Sequence, residues 1–232
     1  MSKKNLIKKA FIKSLPVMAA YVVLGMGFGI LMDDRGYEPI WAICCSIFIY
    51  AGSMQYVGAE LLAGFASPVH TAFMTLMVNA RHLFYGISMI GKYRKMKKFK
   101  PYLIFALTDE TYSLLCDSKD YPKEEKDTEL YCFLVSLFNQ SYWVSGTALG
   151  AFLGQILDFN SSGIEFSMTA LFVTVFVEQW LSVKEHRAAL TGLIITGICL
   201  FVFGRENFLI PAMVLITAIL SLPYFERRFK RQ

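Results

Sequence analysis

Two short runs place ionisable side chains where apolar sequence surrounds them. Arg81 and His82 lie near the middle of an apolar segment at 68 to 91, beside Asn79 and ahead of Tyr85 and Gly86. Asp109 and Glu110 lie near the middle of another, at 101 to 116, flanked by Thr108 and Thr111. A charge inside a membrane segment is costly and marks a functional hypothesis whose partner should be named. The two segments follow one another across a short loop, so Arg81 is expected to meet Asp109 or Glu110. Such a pair ties two helices together, and if it breaks in one conformational state it also lines a transport path. There a carboxylate can exchange a proton, or Arg81 can bind a substrate carboxylate.

A second candidate is Tyr50-Ala51-Gly52-Ser53-Met54-Gln55-Tyr56. Small residues in mid-segment open a helix and leave free N–H groups, suited to a carboxylate at a half-helix N-terminus. Gly52, Ser53 and Gln55 would supply close backbone approach and neutral hydrogen bonds; the plain alternative is a packed small-residue stripe with a bonded Gln. Glu60, seven residues after Ser53, falls on the same helix face two turns on. Glu165 and Glu178 read as helix-end carboxylates. Trp41, Trp143 and Trp180 fit lipid-facing or interfacial positions. Cys44, Cys45, Cys116, Cys132 and Cys199 show no C-x-x-C spacing, and His70, His82 and His186 are scattered. No cofactor or metal is expected, and Walker, G-x-S-x-G and H-E-x-x-H motifs are missing from the sequence.

The elements that must position these residues are read from the distribution of charge. Of 232 residues, 55% are apolar and 18% charged, and the mean hydropathy is +0.46. Except for Glu60, Arg81, Asp109, Glu110, Glu165 and Glu178, every charge falls in Lys3 to Lys13, Asp33 to Glu38, Lys92 to Lys100, Asp117 to Glu129, Asp158, Lys184 to Arg187, Arg205 to Glu206 or Glu226 to Arg231. Soluble domains are less apolar and more charged. This pattern excludes a soluble enzyme, a disordered chain and a nucleic-acid binder, because the basic residues cap apolar segments rather than lining one face. The net charge of +5 has a topological origin.

The expected fold is all-α: one polytopic integral membrane helical bundle over 1–232, with interrupted helices. Apolar segments run at about 14 to 32, 40 to 66, 68 to 91, 101 to 116, 130 to 157, 163 to 183, 188 to 204 and 207 to 224. The run after Lys3 to Lys9 is too long for a signal h-region and reads as an uncleaved first helix. Gly25 and Gly29, and Gly146, Gly150 and Gly154, form rows that let helices approach closely. If every segment crossed once from a cytoplasmic N-terminus, the basic loop 92 to 100 would lie outside, against the positive-inside bias. Two arrangements stay open, of which the first removes this conflict. In one, segments 40 to 66 and 130 to 157 each enter and leave from one side, broken at Ala51-Gly52-Ser53 and Asn139-Gln140-Ser141, with 33 to 38 and 117 to 129 outside and both termini cytoplasmic. That implies a repeat over 14–91 and 101–183, followed by a helical pair at 188–224. In the other, three ordinary crossings per half form an inverted repeat.

The same residues carry a resemblance. Tyr50 to Gln55, Asn79-Ala80-Arg81-His82-Leu83-Phe84-Tyr85-Gly86, Leu107-Thr108-Asp109-Glu110-Thr111-Tyr112, and Ile164-Glu165-Phe166 with Ala170-Leu171-Phe172 occur in this order, with Ser14-Leu15-Pro16 before them. Together they resemble the AzlC (azaleucine-resistance) family, large subunits of branched-chain amino acid transporters, over nearly the whole chain. Glu165 stands where Asp is usual, and Met54 where a small residue is usual. The resemblance implies a cell-membrane, multi-pass, non-enzymatic protein. It also implies secondary export of leucine, isoleucine, valine or analogues by alternating access, with a small AzlD-like membrane partner. The alternatives are a non-transporting scaffold for that partner, and an intramembrane enzyme using His82 and Asp109.

Overall fold

Prolines and small residues set the helix boundaries. Pro39 and Pro68 open helices at their first positions, where the missing N–H costs nothing, and Ser67 caps the second by accepting from His70 N at 3.3 Å. The structure is a computed structural model. It describes residues 2–117, 121–122, 124–156, 166, 169–170, 173, 176–177, 180–181, 186–208, 211–212, 214–216 and 218–220. Among them there is no strand. The helices are α1 (Lys3–Asp34), α2 (Pro39–Phe48), α3 (Gly52–Ala63), α4 (Pro68–Val78), α5 (Ala80–Tyr93), α6 (Lys100–Phe105), α7 (Asp109–Leu115), α8 (Glu125–Ile156) and α9 (Arg187–Asn207). They fall into two compact units, 1–169 and 170–232.

The frame of the first unit is the pair α1 and α8, 32 residues each, running in the same direction. Phe11 meets Phe138, Ser14 Oγ lies 3.0 Å from the Tyr142 hydroxyl, and Asp33 reaches Gly154. The two glycine rows face each other. A Cβ at Gly25 would stand 2.7 Å from Trp143 O, and one at Gly29 or Gly150 would strike the partner backbone outright. Backbone contact this close needs small residues on both helices.

Two hairpins enter this frame from opposite ends. α2 descends from Glu38 along α8, placing Ser46 Oγ 2.8 Å from Thr147 Oγ1. The chain turns at 49–51, where Tyr50 takes φ 43. α3 climbs back along α1: the Tyr56 hydroxyl donates to Leu24 O at 2.7 Å, and Glu60 meets Arg35 at 2.8 Å. α4 and α5 follow, separated at Asn79, and α5 ends at Tyr93 beside the basic loop. α6 rises from Lys100, and its Tyr102 donates to Gln140 at 2.6 Å. The chain turns at 106–108, and α7 returns beside α5, where Lys92 caps it by donating to Leu115 O at 3.2 Å and to Cys116 O.

These elements decide between the expected topologies piece by piece. Segment 40 to 66 does fold back at Ala51-Gly52, and the basic loop 92 to 100 does share an end with the N-terminus. Segment 130 to 157 does not break at Asn139-Gln140-Ser141. Asn139 bonds Thr111, Gln140 bonds Tyr102 and Ile47 O, and Ser141 donates to Leu137 O, so the polar side chains bridge to neighbours or to their own helix while α8 stays whole. The second hairpin is instead segment 101 to 116, expected as a crossing. Consequently the stretch ending at Glu129 lies at the basic end: Phe99 N donates to Glu129 at 2.8 Å, and Lys9 sits over the Tyr131 ring. The expected repeat over 14–91 and 101–183 is not seen in that form, and most of 157–183, with Glu165 and Glu178, lies outside the described residues.

In the second unit, α9 departs from helical geometry at Gly204, φ 73. Ile195 and Cys199 pack on Ala212, Phe208 and Ile216, and Trp180 stacks on His186 at 4.0 Å.

Candidate functional site

Three interruptions meet in the first unit: the turn at 49–51, the break at Asn79 and the turn at 106–108. Their meeting is measured by Tyr50 and Phe105, one from each hairpin tip, whose rings are 6.2 Å apart. Tyr21, from the middle of α1, lies 6.5 Å from the Tyr50 ring and 5.4 Å from Trp143. Gly52 lets α3 start directly against Trp143, whose ring would stand 3.0 Å from a Cβ there. Trp143, only 4% exposed, is thus a core platform and not the lipid-facing residue its type suggests.

Each break also delivers side chains. Arg81, in the first turn of α5, pairs with Asp109 at the start of α7, Nη1 to Oδ2 3.0 Å, and donates to Ser53 at the start of α3. One guanidinium therefore links both hairpins to the interrupted helix. Arg81 and Asp109 keep 30% and 27% of their side-chain surface, so the pair is not sealed in a core. Thr108 caps α7 by accepting from Thr111 N at 3.2 Å, which aims Asp109 and Glu110 from its first turn. Glu110 turns the other way from Asp109: it accepts from the Tyr21 hydroxyl at 2.7 Å, and that hydroxyl lies 2.7 Å from Thr108 Oγ1. The chain of hydroxyls continues through Thr108 and Thr111 to Asn139, with contacts of 3.0 Å.

Beside the pair lies a cavity of about 560 Å³, lined by Asn79 and His82 and not by Arg81 or Asp109 themselves. Ile49, Tyr50, Ala51, Asn79 and Leu107 bring all three breaks to its wall; His82, Leu83, Gly86 and Phe105 extend it, and Arg94 and Lys100 flank it toward the basic end. Non-helical backbone at membrane depth is tolerated where it lines a cavity or is buried in protein, so breaks and cavity explain one another. Its volume is in the range of small-molecule sites.

Of the residues expected to act, Ser53, Asn79, Arg81, His82 and Asp109 are brought together here. Tyr85 stacks on Tyr112 at 4.7 Å and faces Asp109. The His82 ring Nδ1 lies 3.2 Å from Asn79 O, so the backbone of the break orients it. Gln55 points elsewhere: its Nε2 donates to Ser46 Oγ at 3.1 Å, gluing α3 to α2 and, through Thr147, to α8. Glu60 belongs to the far end with Arg35. The residue missed from sequence is Tyr21. Its signal was a single hydroxyl at mid-helix after Met18-Ala19-Ala20, in a segment read only for its glycines.

Comparison with known proteins places this chain in a lineage. A family model described as AzlC protein matches residues 16–157. The branched-chain amino acid transport protein AzlC of Bacillus subtilis is 42% identical over 226 residues, 96% of this chain and 88% of the relative. An uncharacterized membrane protein of Helicobacter pylori strain 26695 is 38% identical over 223 residues, 96% of each chain. The inner membrane protein YgaZ of Escherichia coli K12 is 28% identical over 196 residues, 81% of this chain and 79% of the relative. No solved structure matches.

Proposed function

The chain belongs to the AzlC family, and from that premise we propose that it is the large subunit of a secondary membrane transporter exporting leucine, isoleucine, valine or analogues by alternating access with a small AzlD-like membrane partner. The observation that carries this reading is the meeting of three helix breaks at a 560 Å³ cavity, with the Arg81–Asp109 pair tying the same three breaks together beside it. Discontinuous helices meeting near mid-membrane are the usual construction of a transporter's substrate site.

In this reading the protein sits in the cell membrane with the Lys3 to Lys13 end cytoplasmic, following the basic residues. An amino acid enters from that end past Arg94 and Lys100. Its carboxylate goes to Arg81, its ammonium to Asp109 and the Asn79 side-chain oxygen, which is buried without a bonded partner. Ile49, Leu83, Ile104 and Leu107 receive the aliphatic side chain. The substrate's own two charges thereby replace the Arg81–Asp109 contact, so the pair need not be left unmatched when it opens. The opposite end is closed by the α2–α3 hairpin seated on α1 and α8 and latched by Arg35 and Glu60.

The test is counterflow of labelled leucine in vesicles holding this chain, with and without the small partner. Exchange that saturates with leucine and is competed by isoleucine and valine is expected. Its absence under both conditions sinks the carrier reading.

A further inference from the structure

The site holds two adjacent carboxylates with different partners. Asp109 is matched by a guanidinium at 3.0 Å. Glu110 has a hydroxyl, that of Tyr21, at 2.7 Å. Asp109 has a cation for its partner, whereas the donor at Glu110 is a neutral hydroxyl that brings no opposite charge to the carboxylate. The groups facing Glu110 can be named element by element: Tyr21 on α1, Tyr50 at the first hairpin tip, Arg81 and Tyr85 on α5, and Asp109 on α7. α8 presents the neutral Asn139 and Trp143 to this region. With Arg81 committed to Asp109, a second negative charge here is a net charge at depth, which is expensive.

Glu110 is also placed to convert protonation into movement. It joins the tip of the α6–α7 hairpin to the middle of α1, the helix that packs backbone to backbone on α8. Ionised, it is a charge-assisted acceptor for Tyr21; protonated, that bond loses roughly half its strength. The hairpin tip is then held to the rigid pair by neutral bonds alone, Tyr21 with Thr108 and Asn139 to Thr111, while Arg81 and Asp109 keep their partners.

We propose that Glu110, and not Asp109, carries the coupling ion of transport as a proton, with Tyr21 as the positioning residue that senses its charge. The reading rests on the transport function proposed above. The proton arrives at a Glu110 carboxylate oxygen from one aqueous phase and leaves to the other, and no bond other than O–H forms or breaks. In an exporter the proton enters as the amino acid leaves.

The test uses the full chain, with its small partner, in vesicles containing a pH-sensitive dye, with labelled leucine and an imposed pH gradient. Wild type is expected to accumulate leucine against its gradient and to move protons with it. Glu110→Gln is expected to lose gradient-driven accumulation at least tenfold, and its residual counterflow is expected to stop varying with pH. Glu110→Asp is expected to restore coupling. Asp109→Asn is expected to lose counterflow as well. Tyr21→Phe removes a donor that favours the ionised form, so the midpoint of the pH profile moves upward. This variant decides the question if Glu110→Gln does not reach the vesicles folded. Wild-type accumulation by Glu110→Gln, leucine movement without protons, or an unmoved profile in Tyr21→Phe overturns the proposal and leaves the carrier reading standing. No counterflow in wild type overturns both.

Discussion

The two hairpins are built alike and charged differently. α2–α3 turns at Tyr50-Ala51 and offers only neutral groups around its tip, Gln55 to Ser46, Ser46 to Thr147, Gly52 on Trp143, Tyr56 to Leu24 and Ser53 to Arg81, with its one ion pair, Glu60 to Arg35, at the far end. α6–α7 turns at Ala106-Leu107-Thr108 and is held at its tip by charge: Asp109 to Arg81 and Glu110 to Tyr21. A neutral hydrogen bond contributes about 0.5–1.5 kcal/mol and does not change with pH, whereas a charge-assisted one is stronger and can be switched off by a proton or an ionic substrate. Under the proposed function, the contrast makes the first hairpin the fixed wall and the second the side expected to respond.

The comparison breaks most completely if the hairpins do not enter from opposite ends. In a cysteine-free background, Glu38→Cys and Ala66→Cys should react with an impermeant maleimide from one side of the membrane, and Lys97→Cys from the other only. Labelling of 38 and 66 from different sides removes the first hairpin. Next in size is the charged tip. Asp109→Asn leaves Arg81 partly buried without its counter-charge, a loss of about 2–3 kcal/mol once discounted for the exposure of the pair. Leucine counterflow should fall to background while the protein still elutes as a folded species; normal transport would remove Asp109 from the mechanism.

The frame beneath both hairpins is tested by Gly150→Ala, whose new methyl meets the Met26 backbone. Overpacking against backbone costs about 1–3 kcal/mol, so thermal stability in detergent should drop more than for Gly197→Ala, where a Cβ meets nothing. The neutral tip should be more forgiving: Gln55→Leu loses one hydrogen bond, about 1 kcal/mol, with transport retained within a few-fold and the pH profile unmoved. Smallest is Glu60→Gln. Its pair with Arg35 is solvent-exposed, worth about 0.2–1 kcal/mol, and the expected change in melting is at the edge of detection. A collapse of counterflow in that variant would show that the latch, and not the charged tip, limits transport.

Much of this was legible along the chain because membrane chemistry writes it locally. Charges expelled to segment margins announce helices, prolines mark their starts, and the glycine rows on α1 and α8 are visible as spacings of four. Arg81 and Asp109 stand out because nothing apolar explains them. The break at Ala51-Gly52 was readable from small residues, but the same reasoning failed at Asn139-Gln140-Ser141. A polar trio looks the same in sequence whether it opens a helix or bonds across to Thr111, Tyr102 and Ile47 O, and only the neighbours distinguish the two.

By itself, then, the sequence determined that the chain is helical, that it is apolar enough for a bilayer, and which charges had to find partners there. The tertiary structure alone decided which segment folds back, that the two carboxylates of one turn point at different partners, and that Tyr21 stands against one of them. The physical reason is that burial cost is set residue by residue, while the pairing that relieves it joins helices far apart in the chain, as Tyr21 and Glu110 do.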